Sequence, residues 1–225
     1  MAELIVALDV PSASRALELA DQLDDLRWAK IGPVLFVREG PAIVRQLVAR
    51  GVRVFLDLKW HDIPSTVADA VAAARELGVS LATVHCLGGR AMLEAAVRSG
   101  GDELPLVGVT VLTSHHSADF AAVLGRGVPD VGFEAERLAQ LAIAAGLRGV
   151  VASGHELGIL RAALGTGPWI VVPGIRPTGE SRDDQARTIT AAEAVRRGAS
   201  HLVVGRPITA APNPSGVYRE LVNTL

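Results

Sequence analysis

The chain has 225 residues, 49% hydrophobic and 20% charged, so it can bury a substantial core and is not globally disordered. Lys and Arg total 22 against 24 Asp and Glu, and only three Trp, one Tyr and four Phe are present. That balance excludes a nonspecific polyanion binder and an aromatic platform for single strands, and the one cysteine, Cys86, excludes an intrachain disulfide framework or a thiolate zinc cluster. The opening MAELIVALDV lacks the basic region and long apolar stretch of a signal peptide. No run approaches the ~18 apolar residues of a membrane span. The expectation is a cytoplasmic protein with neither nucleic acid nor membrane as partner.

Short aliphatic runs alternate with helical patterns along the whole chain. Residues 4–8 (LIVAL) read as a buried strand ending at Asp9, and Ser12 can cap the helix that follows. Residues 28–31 form a second strand, closed by Gly32-Pro33, with a helix over about 34–50. The third strand is 52–58, followed by an Ala-rich helix over 66–77 with Gly78 at its C′ position. Strand 81–84 precedes a helix over 91–98, and strand 106–112 precedes an irregular stretch, 113–132, with a short helical piece. A helix over about 133–145, a strand at 150–151 and a helix over 155–164 come next. Strand 169–172 leads into a loop over 174–184 and a helix over about 184–197. Strand 202–204 and a final helix near 213–223 complete the pattern.

Eight strand–helix units with near-continuous Val/Ile/Leu strands predict an α/β fold, a (β/α)8 or TIM barrel spanning residues 1–225 as a single domain. An open doubly wound sheet is the competing architecture, but it gives no reason for eight even units. In a barrel, chemistry sits where strands end and the next loops begin.

The segment 56–64 (LDLKWHDIP) is the most informative. Asp57 and Lys59 are two apart on a strand, so they share a face. Asp62 follows in the loop, and Lys30 on the preceding strand can face the same space. Two charges in an apolar barrel mouth are expensive unless they pair. A salt bridge plugging the barrel end explains one Asp–Lys pair, but less readily four alternating charges. Lys59 as a Schiff-base nucleophile would need a neutral amine. Flanking carboxylates favour the ammonium, which suits a proton donor.

Pro173-Gly174-Ile175-Arg176 and Gly205-Arg206 close the seventh and eighth strands, the usual phosphate site of barrels. Glycine amides can approach phosphate oxygens, and Arg176 and Arg206 offer forked donors for a dianion. Gln185 can add an amide hydrogen bond. Of the histidines, His61 is expected to pack locally. His115-His116 lacks a third ligand for a metal. Cys86 is expected to be a small core residue.

At these residues the chain resembles the orotidine 5′-phosphate decarboxylase family. The most specific part is the family's D-x-K-x-x-D-I-P-x-T signature, here Asp57, Lys59, Asp62, Ile63, Pro64 and Thr66. Leu8-Asp9, Lys30 with Gly32, V-T-V-L-T-S over 109–114, P-G-I-R over 173–176, Asp184-Gln185 and V-G-R-x-I over 204–208 accompany it. Ser65 stands where asparagine is usual, and Cys86-Leu87 where small residues are common after His85.

The resemblance implies decarboxylation of orotidine 5′-monophosphate to UMP and CO2, the last step of de novo UMP biosynthesis, with no cofactor and no metal. It gives Lys59, Asp57, Asp62 and Lys30 catalytic roles. It gives Asp9 and Lys30 the ribose hydroxyls and the completion of the charge network, Thr113 or Ser114 the pyrimidine edge, and Arg176, Gln185, Gly205 and Arg206 the phosphate. Pro173 and Ile63 belong to the same binding set. It also implies a homodimer with shared active sites, in which Asp62 and Thr66 reach into the partner's site. The related sugar-phosphate enzymes, keto-gulonate-phosphate decarboxylase and hexulose-phosphate synthase, share D-x-K-x-x-D but use a divalent metal. They typically carry a glutamate where this chain has Lys30. A non-catalytic barrel that binds a nucleotide monophosphate is the non-enzymatic alternative.

Overall fold

Eight parallel strands pair in chain order, and the last returns to the first: a closed barrel. They are β1 (Glu3–Ala7), β2 (Trp28–Ile31), β3 (Arg53–Trp60), β4 (Leu81–His85), β5 (Leu106–Val109), β6 (Gly149–Val151), β7 (Trp169–Val172) and β8 (His201–Val204). The computed structural model describes residues 2–176 and 189–225. Around the barrel run α1 (Ala13–Gln22), α2 (Pro33–Glu39), α3 (Pro41–Ala49), α4 (Pro64–Glu76), α5 (Gly89–Gly100), α6 (Ser117–Leu124) and α7 (Val131–Ala144). α8 (Leu157–Leu164), α9 (Ala191–Arg196), α10 (Arg206–Thr209) and α11 (Pro214–Val222) complete the ring. The expected (β/α)8 architecture is therefore present.

Strand alternation divides the apolar residues into two cores. Ile5, Ala7, Trp28, Phe55, Leu81, Val107, Val171 and Val203 point inward and fill the barrel. Residues of opposite phase, such as Leu4, Val6, Ala29, Val54, Leu56, Ala82 and Val172, pack outward against the helices. Burial on both faces explains why the strands read as unbroken aliphatic runs.

Several local expectations hold for physical reasons. The Ser12 hydroxyl accepts the Arg15 N–H at 3.3 Å and caps α1. The helix expected over 34–50 is two helices, because Gly40 adopts φ +61 and Pro41 starts α3. Neither a left-handed residue nor a proline continues a helix. The strand expected over 106–112 ends at Val109, where β6, its partner, also ends. The helical piece in 113–132 is α6, which opens with a reciprocal capping arrangement between His116 and Asp119. His116 is thus a helix-start residue, which accounts for it without a metal. The expected start of the helix at 184 falls outside the described residues. Cys86 is fully buried and free, as expected of a core residue.

The end of the barrel away from the strand C-termini is closed by aromatic rings. His201 lies between Trp28 and Trp169, with ring centroids 5.8 and 4.7 Å away. The guanidinium groups of Arg53 and Arg148 cover the two indoles at 4.5 and 4.9 Å. This plug leaves the opposite end as the open mouth.

Burial pushes the His201 imidazole down to about 4; Glu3 opposes the shift and Arg53 reinforces it. In the unfolded chain a histidine protonates near ~6.5. Between those values the unfolded state binds more protons. Stability is therefore fully present above about pH 6.5 and falls as pH drops toward about 4. The expected outcome is a melting temperature that declines between about pH 7 and about pH 4.5, read by circular dichroism, with a shallower decline in His201→Gln.

Candidate active site

The mouth holds a cavity of about 480 Å³. Asp9, Lys30, Asp57 and Lys59 line one part of its wall, and Pro173, Gly174, Arg176, Gly205 and Arg206 line another. Between them lie Phe55, Val109, Val111, Val151, Ala152 and Val203, an apolar floor. A charged wall, an apolar floor and two arginines suit a flat, partly apolar ligand with an anionic end.

The charges form one continuous chain. Lys30 Nζ donates to Asp9 Oδ1 at 2.8 Å and lies 3.6 Å from Asp57 Oδ2. Lys59 Nζ donates to the other oxygen of Asp57, Oδ1, at 2.9 Å. Asp57 is thus shared by two ammonium groups. The Lys30 and Asp57 side chains are only 9% and 13% exposed, so neither ion could stay without its partners. The Lys59 side chain, at 37%, and that of Asp9, at 58%, are the members open to a ligand.

The alternating set differs from the sequence expectation at one end. Within this chain it runs Asp9, Lys30, Asp57, Lys59, whereas Asp62 stands apart. Asp62 is exposed, and its carboxylate accepts its own neighbour's N–H, that of Ile63, at 2.6 Å. The loop after β3 carries it out of the mouth. Ile63, 63% exposed, and Thr66 also lie on the outer surface and not on the cavity wall. Thr113 lines the cavity, while Ser114 is exposed and does not. Gln185 and Asp184 fall outside the described residues.

Simple strand alternation does not explain how Asp57 and Lys59 come to meet. Pairing of β3 with β4 joins Leu56 to Ala82 and then Trp60 to Val84. Four steps along β3 thus face two along β4, a bulge at the mouth. Lys59 takes φ +52 there. That left-handed conformation costs a non-glycine residue about 1–3 kcal/mol and persists only where the surroundings hold it. The ladder is interrupted, so the Lys59 N–H bonds instead to the Thr83 hydroxyl at 2.8 Å.

Thr83 is the residue that the sequence reading missed. It is fully buried and inward-facing on β4. The alternation of Leu81, Thr83 and His85 was the available signal: one polar residue in phase with an apolar interior. His85 follows at the strand end and stacks on His61, ring centroids 5.3 Å apart. Burial holds the His85 imidazole down to about 4, helped by His61, Lys59 and His115. It is neutral near pH 7, and its Nδ1 accepts the Leu87 N–H at 3.3 Å.

The chain has known relatives. The chain matches the Orotidine 5'-phosphate decarboxylase / HUMPS family over residues 2–221. The chain belongs to this family. Among its curated relatives, the orotidine 5'-phosphate decarboxylase of Alkalilimnicola ehrlichii is 48% identical, covering 99% of this chain and 95% of that protein. The corresponding protein of Halorhodospira halophila is 50% identical over 94% of this chain and 91% of its own length. The crystal structure of orotidine 5'-phosphate decarboxylase from Lactobacillus acidophilus superposes with a TM-score of 0.87 at 31% identity, covering 100% of this chain and 99% of that one.

In this member of the family, Gly32 sits against the charge chain. A Cβ at Gly32 would come 2.7 Å from Asp9 Oδ1 and 3.0 Å from Lys30 Nζ. Both are ends of flexible side chains, so Gly32→Ala should fold while prising the ion pair apart. The expected outcome is a kcat/KM about tenfold lower, with a melting temperature within about 2 °C of the unsubstituted protein.

Proposed function

We propose that the chain, as one catalytic domain, converts orotidine 5′-monophosphate to UMP and CO2 in UMP biosynthesis. The observation that carries this reading is the Asp9–Lys30–Asp57–Lys59 chain, which ends with the Lys59 ammonium open to a cavity that also contains Arg176 and Arg206. Family membership and the curated relatives support the same reading.

The chemistry follows from what each group can do. The C6–carboxyl bond of the pyrimidine breaks, CO2 leaves, and the electron pair stays on C6. Fixed charges must stabilise that carbanion. The Lys59 ammonium lies beside C6, offsets the growing negative charge and gives C6 its proton. The neutral amine then regains a proton from solvent. Asp57 holds Lys59 and stands near the departing carboxylate. Lys30 keeps Asp57 and Asp9 in place, and Asp9 with Lys30 binds the ribose hydroxyls. Thr113 faces the pyrimidine. Arg176, Arg206 and the Gly205 backbone N–H hold the phosphate, with Pro173 lining the same part of the cavity and Gln185 as a further donor. Phosphate binding far from C6 supplies energy for positioning at C6.

The exposed Asp62, Ile63 and Thr66 belong to this reading as residues that act in the site of a partner subunit. Their removal from the cavity of their own chain supports a homodimer with shared sites. The reducing cytoplasm suits the single buried thiol, Cys86. No helix among the described residues is long and apolar enough to cross a membrane.

No metal or other cofactor enters this scheme. Lys30 sets an ammonium between the Asp9 and Asp57 carboxylates, and that positive charge would repel a divalent cation there. Among the described residues, no three His, Cys, Asp or Glu side chains gather as a metal site. These two observations favour the decarboxylase over the metal-dependent sugar-phosphate chemistry.

The test is direct. Purified protein mixed with orotidine 5′-monophosphate should consume its ultraviolet absorbance, and Lys59→Ala should stop turnover while melting normally. Full turnover by Lys59→Ala would sink the assignment. Activity should also survive exhaustive EDTA. Loss on chelation, restored by Mg2+, would select the sugar-phosphate class, and UMP binding without turnover would select a sensor.

A further inference from the structure

The geometry points to Thr83 as a positioning residue that holds both working groups of β3 through one hydroxyl. This inference rests on the proposed decarboxylase reading and extends it to a residue outside the charge chain. Thr83 Oγ1 accepts the Lys59 backbone N–H at 2.8 Å and donates to Asp57 Oδ1 at 3.1 Å. It is fully buried, so no water competes for either bond. A hydroxyl has one proton to give and lone pairs to receive, which matches this use.

Two independent features make those bonds matter. Lys59 sits at φ +52, a conformation its own backbone does not favour. The β3–β4 ladder skips this position, so no strand carbonyl accepts its N–H. The Thr83 hydroxyl supplies the missing partner and keeps the peptide turned. Asp57 Oδ1 then receives both Thr83 and Lys59 Nζ, at 3.1 and 2.9 Å, while Oδ2 faces Lys30 at 3.6 Å. With Oδ1 pinned from the strand side, the carboxylate cannot rotate away from Lys59. The root of the lysine and the carboxylate that aims its ammonium are thereby set by the same atom. Thr83 acts through these groups and is absent from the cavity wall, so it contributes no direct ligand contact.

The closing experiment uses the full chain and compares Thr83→Val, Thr83→Ala and Thr83→Ser. Valine keeps the shape and loses the hydroxyl, alanine loses hydroxyl and methyl, and serine keeps the hydroxyl. Steady-state kinetics with orotidine 5′-monophosphate, UMP affinity by calorimetry and melting temperature are read on each. The expected result is kcat about 10- to 100-fold lower in Thr83→Val, the loss of a hydrogen bond to charged groups, with UMP affinity within about threefold. Thr83→Ser should restore most of kcat. If valine prevents folding, the Ser and Ala pair still decides, because kcat should fall from Ser to Ala with UMP affinity held. A Thr83→Val or Thr83→Ala protein with kcat within about threefold of the unsubstituted chain would overturn the role. So would equal losses in Ser and Ala, or losses of kcat and UMP affinity in step, which mark a merely structural residue. Absence of turnover by the unsubstituted chain would instead overturn the decarboxylase reading and take this role with it.

Discussion

The Asp57 carboxylate is the constraint around which the mouth of the barrel is built. It is 13% exposed and is held by Lys30, Lys59 and Thr83 at once. A carboxylate taken that far out of water is several kcal/mol uphill unless charge and hydrogen bonds replace its hydration. Those partners come from three different strands, β2, β3 and β4. Neighbouring strands paired in fixed register bring them to one point. Closure of the barrel through the pairing of β8 with β1 then sets Arg176 and Arg206, beyond β7 and β8, on the same cavity.

The barrel's division of labour has a chemical logic. The lower part of the barrel is packed with aliphatic and indole groups, and burial keeps His201 neutral there near pH 7. The upper part concentrates fixed charge in a small volume above an apolar floor. Charges set in such surroundings need little reorganisation as a reaction proceeds, and they act more strongly than in water. A carbanion without an electron sink needs that kind of environment. The bulge in β3 adds local strain at Lys59, which is borne by the hydrogen bond from its backbone to Thr83.

The chain also separates the expected site residues between two surfaces. Asp9, Lys30, Asp57, Lys59, Thr113, Arg176 and Arg206 share one cavity. Asp62, Ile63 and Thr66 stand outside it, only a few residues beyond Lys59. The short loop after β3 is responsible, since it turns outward into α4 immediately past the bulge. The homodimer with shared sites proposed above would reconcile the two surfaces.

Much of this was legible in the amino-acid order. Eight aliphatic runs alternating with helical patterns pointed to the barrel, because strands buried on both faces read as near-continuous apolar runs. The charged and glycine-rich strand ends marked the mouth, because in a barrel chemistry sits where strands end and the next loops begin. What the order of residues could not carry was register. Strand alternation correctly placed Asp57 and Lys59 together, but the real cause is a bulge that alternation does not contain. Asp62 looked like the fourth charge because it is near in sequence, whereas Asp9, distant in sequence, holds that position through the pairing of β1 with β2. Thr83 went unnoticed because a lone threonine on an apolar strand has no meaning until its neighbour across the ladder is known. Composition and periodicity thus determine which faces are buried and how many units close. Which side chains touch is decided by long-range strand pairing, a property of the folded barrel alone.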